Sequence, residues 1–178
     1  QDVETDDNVF RQTTARLPWL IIGMLGGIGN SMILGNFDAT FAAHPEMALY
    51  IPLIGGTGGN VGTQSSALIV QGLANSSLDS KNTLKQVAKE AVVALINATI
   101  ISLLVYTYNF IRFGAMATVT YSVSISLFAV VMFASIFGTL VPMTLERLKI
   151  DPAIATGPFI AITNDIIGMM LYMGITVL

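Results

Sequence analysis

The chain has 178 residues, 53% of them hydrophobic and only 11% charged, with a formal net charge of -3 and a mean hydropathy of +0.72. A soluble domain carries about 25% charged residues, so there is too little polar surface for a water-soluble body, and the composition points to a membrane protein. The absence of cysteine excludes disulfides and thiolate metal sites.

The first sixteen residues, QDVETDDNVFRQTTAR, are acidic and polar, without the basic-then-apolar pattern of a secretory signal. They lack an initiator Met and read as a cytosolic linker, or the end of a connecting helix, with the transmembrane domain over 17–178. A first apolar span is predicted from Leu17 to Gly35, followed by the loop GNFDATFAAHPE with Asp38, His44 and Glu46. The second span, Met47 to Leu73, contains GGTGGNVGTQSS at 55–66. This run is not a phosphate loop: Gly56 and Gly58 would need a third glycine at Val61, and no P-loop lysine follows. Thr57, Asn60, Gln64 and Gln71 instead recur as one polar helical stripe. The glycines between them form small-x-x-x-small pairs that permit close helix approach.

The third span runs from Val87 to Phe110, with Glu90 near its start beside Lys85 and Lys89. That carboxylate reads first as an interfacial group paired with lysine or reaching water. Asn97, seven residues on, extends a candidate polar face. The break IRFGAMA is the least marked, so four spans with one long hairpin compete with five. The fourth span, Val119 to Leu145, carries Ser122, Ser124, Ser126 and Ser135, which are expected to bond their own helix or a neighbour. The fifth runs from Ala153 to Leu178.

Basic residues orient this all-α, five-helix integral membrane fold in the lipid bilayer. With the N-terminus cytoplasmic, Arg11, Arg16, Lys81, Lys85, Lys89, Arg147 and Lys149 lie inside and only Arg112 outside. The C-terminus then lies outside, and Trp19 marks the inner interface. Asp165 sits mid-way along the fifth span with no Lys, Arg or His within a helical turn. It is either protonated or faces a wet cavity where a cation compensates it. Ala161, Gly168 and Tyr172 share its face, Thr163 and Asn164 precede it, and Gly157-Pro158 loosens the helix start. Thr57, Asn60 and Gln64 are the matching pore-lining candidates on the second span, with Thr163, Asn164 and Gly168 on the fifth. Two copies about a twofold axis are the simplest way to enclose such a path.

One carboxylate with amides and hydroxyls is a hard-oxygen donor set that suits Mg2+, Ca2+ or Mn2+. Mg2+ in particular keeps several waters and binds through one or two carboxylates. Sodium or proton coupling remains open at this point.

ARLPWL at 15–20, YIPLIGGTGGNVGTQSSALIV at 50–70 and DPAIATGPFIAITNDIIGMMLY at 151–172 together resemble the membrane domain of MgtE-type magnesium transporters. The resemblance covers the chain from Arg16 onward. It implies a homodimeric Mg2+ channel in a bacterial inner membrane, with the pore at the dimer interface lined by spans two and five. It further implies that Asp165 binds the hydrated ion with help from the Ala161 backbone carbonyl. Gly157 stands where the family commonly has Asn, which leaves only a backbone contribution there. Full-length members carry cytosolic N and CBS regulatory domains, which these residues do not encode. An enzyme is not expected, nor a nucleic-acid partner. An intramembrane aspartyl protease would need two carboxylates sharing a proton. An ion-coupled carrier or exchanger and a non-transporting scaffold are the alternatives to a channel.

Overall fold

The computed structural model describes residues 4–178, apart from the side chains of Ser80 and Ala155. The helices are α1 Val9–Gly35, α2 Asp38–Ala43, α3 Ile51–Ala74, α4 Thr83–Phe113, α5 Thr118–Arg147 and α6 Pro158–Thr176. Short 3-10 helices at Pro45–Tyr50, Ser80–Asn82 and Pro152–Thr156 lead into α3, α4 and α6. No strand occurs among the described residues. By length and composition, α1, α4, α5 and α6 can cross a membrane. Helix α3 has 24 residues, about 36 Å of length, but its glycines and amides dilute its apolar character.

Helix boundaries correct several sequence-based expectations. The first helix begins at Val9 rather than Leu17, because the Asn8 side chain caps it, accepting from the Arg11 backbone N–H at 2.8 Å. Asp7 pairs with Arg11 at 2.9 Å on the same turn. Part of the 1–16 segment is therefore helical and continuous with the first span, while residues 1–3 lie outside the described part. The ambiguous IRFGAMA break is a true turn. Helix α4 ends at Phe113, Gly114 takes φ +86°, and Thr120 Oγ1 donates to the Gly114 carbonyl at 2.7 Å. That positive φ favours glycine, and it separates α4 from α5. Before α6, Gly157 is extended (φ -91°, ψ -160°) and Pro158 supplies the first turn, so the last helix starts at Pro158 rather than Ala153.

Helix α5 is the centre of the bundle, packed against α3, α4 and α6, while α1 lies along α6. Close approach of α3 and α5 is set by Gly138, where an added Cβ would lie 2.6 Å from the Gly62 carbonyl oxygen and 3.2 Å from Ser65 Cβ. At the end carrying α2, the core gathers Met47, Tyr50 and Ile54 with Val123, Leu127, Met169 and Tyr172. Two phenols satisfy their hydroxyls there: Tyr172 donates to the Met47 carbonyl at 2.8 Å, and Tyr50 donates to Asn109 Oδ1. These contacts anchor the turn before α3 to α4 and α6.

Candidate functional site

The glycine-rich run forms two faces of α3. Gly55, Gly58 and Gly62 are buried with Ser65, Ser66 and Ile69. A Cβ at Gly58 would press on Val130, and one at Gly62 would overlap the Asn164 amide, so these glycines admit α5 and α6. Gly56 and Gly59 differ, since an added Cβ meets nothing within 4 Å at either. Together with Gly55, Asn60 and Thr63 they line an open cleft of about 390 Å³, whose other wall is Ala161, Ile162 and Asp165 of α6.

Asp165 is half-buried at the floor of this cleft. Its Oδ2 accepts from Asn30 Nδ2 of α1 at 3.3 Å. Its Oδ1 occupies the space over Gly55 that a side chain would otherwise fill. No ion pair reaches the carboxylate among the described residues. Thr63 Oγ1 donates back to the Gly59 carbonyl at 2.7 Å, which leaves the hydroxyl oxygen able to accept from water in the cleft. Among the described residues no three His, Cys, Asp or Glu side chains gather. A hydrated cation held through water suits this donor set better than a stripped one.

Of the predicted site residues, the structure brings Asn60, Ala161 and Asp165 together on the cleft. Thr57 and Gln64 lie on the adjoining strip of α3 and do not line it, with Gln64 exposed. Thr163 is half-buried on the far side of α6 from the carboxylate. Asn164 is turned away from the cleft. It is 1% exposed, seated against Gly62, with neither amide atom hydrogen-bonded. Gly168 is buried against Ile54 and Val130, and Tyr172 is core. Gly157 precedes α6 as extended backbone and does not line the cleft.

Glu90 departs from the interfacial reading. It is 8% exposed and accepts from Ser65 Oγ of α3 at 2.8 Å, and no ion pair joins it to Lys85 or Lys89. The helical phase of α4 turns Glu90 inward and leaves the lysines outside. Asn97 is exposed on α4 and does not join it. The α5 serines behave as expected in part: Ser122 bonds Thr176 at 2.6 Å and Ser124 donates to the Thr120 carbonyl at 3.1 Å, whereas Ser126 has no partner.

Sequence reasoning missed Asn30 and Thr63. Asn30 is the buried residue of α1, and a lone amide within an apolar span was the available signal. Thr63, three residues after Asn60, falls on the cleft side of the helix rather than on the Thr57–Gln71 stripe.

Comparison with known proteins places the chain in a family. The MgtE family model, described as "Divalent cation transporter", matches residues 51–175. The chain is 34% identical over 161 residues to "Magnesium transporter MgtE" of Thermus thermophilus, covering 90% of this chain and 35% of that protein. It is 31% identical over 175 residues to the protein of the same name from Bacillus subtilis, covering 98% and 39%. For the Enterococcus faecalis protein of that name the identity is 28% over 178 residues. The chain thus spans less than two-fifths of the length of these curated relatives. With three relatives matched along nearly the whole chain and the family model covering α3 to α6, the chain belongs to the MgtE family of divalent cation transporters.

Proposed function

We propose that this chain is the pore-forming part of a magnesium transporter, conducting Mg2+ passively between two copies of itself in a bacterial inner membrane. The observation that carries this reading is the α3/α6 cleft, where one carboxylate faces amide, hydroxyl and bare glycine backbone. Five spans cross the bilayer, α3 being the polar one, with the N-terminus cytoplasmic as the basic residues favour. Two clefts facing across a twofold axis place two Asp165 carboxylates about one hydrated ion, which matches the one or two carboxylates that Mg2+ prefers. Asn60, Thr63 and the Ala161 backbone accept from or donate to its water shell. Ca2+ and Mn2+ are the competing cargoes on donor chemistry alone. In the full-length protein, cytosolic N and CBS domains regulate the pore.

The test is Mg2+ uptake by liposomes containing purified protein, with single-channel recording to separate a pore from a coupled carrier. Asp165→Ala and Asp165→Asn are expected to lower flux by at least about tenfold. Undiminished flux in both, with the helical content and thermal midpoint retained, overturns the role of Asp165.

A further inference from the structure

Helix α1 runs for 27 residues, and its buried residue is Asn30. An amide at this depth is costly unless it finds a partner, and Asn30 finds Asp165. Its Nδ2 donates to Asp165 Oδ2 at 3.3 Å, and Oδ1 stays buried without a partner. One turn earlier Gly26 lies directly against Ile162, where an added Cβ would overlap the isoleucine side chain. Gly26 and Asn30 are four residues apart and Ile162 and Asp165 three, so two successive turns of α1 rest on two successive turns of α6. The glycine lets α1 come close enough for the amide to reach the carboxylate.

This contact treats the two carboxylate oxygens differently. Oδ2 is held by α1, while Oδ1 lies over Gly55 on the cleft wall. A carboxylate free to rotate would offer the ion's water shell either oxygen in any orientation. One fixed by a neutral donor offers a single oxygen in a fixed direction, without adding a charge that would compete with the cation.

We propose that Asn30 is a positioning residue of the ion site, fixing Asp165 so that Oδ1 faces the hydrated cation. This rests on the reading of Asp165 as the ion-binding group. Mg2+ uptake is measured over a concentration series in liposomes containing Asn30→Ala, Asn30→Leu, Asp165→Asn and the Asn30→Leu/Asp165→Asn pair. Leucine keeps the branched outline and heavy-atom count of asparagine and suits an apolar span, which protects the test against misfolding. Half-saturating Mg2+ is expected to rise roughly tenfold in both Asn30 variants, with the thermal midpoint little changed in Asn30→Leu. In the Asp165→Asn background, Asn30→Leu is expected to add no further shift, because its effect passes through the carboxylate. An unchanged half-saturation in Asn30→Leu overturns the inference, as does a full additional shift in the double variant. If Asp165→Asn itself conducts normally, the underlying reading of Asp165 fails instead, and the two failures are told apart.

Discussion

Asp165 Oδ1 and the missing side chain of Gly55 share one volume, so the carboxylate can sit where it does only because position 55 has no Cβ. Gly55→Ala is therefore expected to displace the carboxylate and lower Mg2+ flux by roughly tenfold or more, measured by liposome uptake. Gly56→Ala, one residue on, meets no atom within 4 Å and leaves Asp165 in place. Glu90 is the contrasting acid. Ser65 binds it inside the bundle, on the opposite side of α3 from the cleft, so it ties α4 to α3 rather than facing the cleft. Asn164 stands one residue before the key carboxylate in sequence and yet points into the protein, because 100° of helical rotation separates adjacent side chains.

At the scale of helices, α3 and α5 touch backbone to side of backbone. An alanine at position 138 would place its methyl 2.6 Å from the Gly62 carbonyl, and a carbonyl within a helix cannot swing aside as a side chain can. Gly138→Ala is expected to destabilise the bundle by about 1–3 kcal/mol, read as a lower thermal midpoint in detergent. Gly59→Ala is expected to leave that midpoint unchanged or slightly raised, since alanine favours helix over glycine. The helices themselves were legible in the sequence, as runs of apolar residues ending at glycine, proline or charge. That Asp165 would face a cleft rather than the apolar core was legible too, because a carboxylate in an apolar helix is costly without polar surroundings. The division of α3's glycines was not, because periodicity gives the angle between residues but not which neighbouring helix occupies each angle. For the same reason the whole Thr57–Gln71 stripe was placed toward the path, whereas only Asn60 of it lines the cleft, which is centred one strip over and takes in Thr63. Asn30 needed knowledge that α1 lies on α6 at Gly26 and Ile162, a long-range contact with no local trace.

For the molecule as a whole, α5 is enclosed while α1 and α4 present long apolar flanks, including Leu25, Met32, Leu103 and Leu104. Lipid covers such flanks in a bilayer, but the α3/α6 cleft mixes glycine, amide and carboxylate, and the proposed dimer would cover it with the same surface of a second copy. The chain contains no cysteine, so single introduced thiols report unambiguously on which faces meet. Asn60→Cys and Thr63→Cys are expected to cross-link two copies through a short bis-thiol reagent, in the membrane and on a denaturing gel. Leu104→Cys, on the outer flank of α4, is expected to remain a monomer band. Cross-linking through Leu104 alone would place the dimer contact elsewhere and leave the cleft facing lipid.

The open cones over Gly56 and Gly59 have a practical consequence. These positions sit on the wall of the cleft, and a Cβ added at either meets no atom within 4 Å. A chemical handle placed there, whether a fluorophore or a spin label, is expected to report from within the cleft without disturbing the packing of α3 against α5 and α6. Cleft and packing can then be altered separately along a single helix, one face for each.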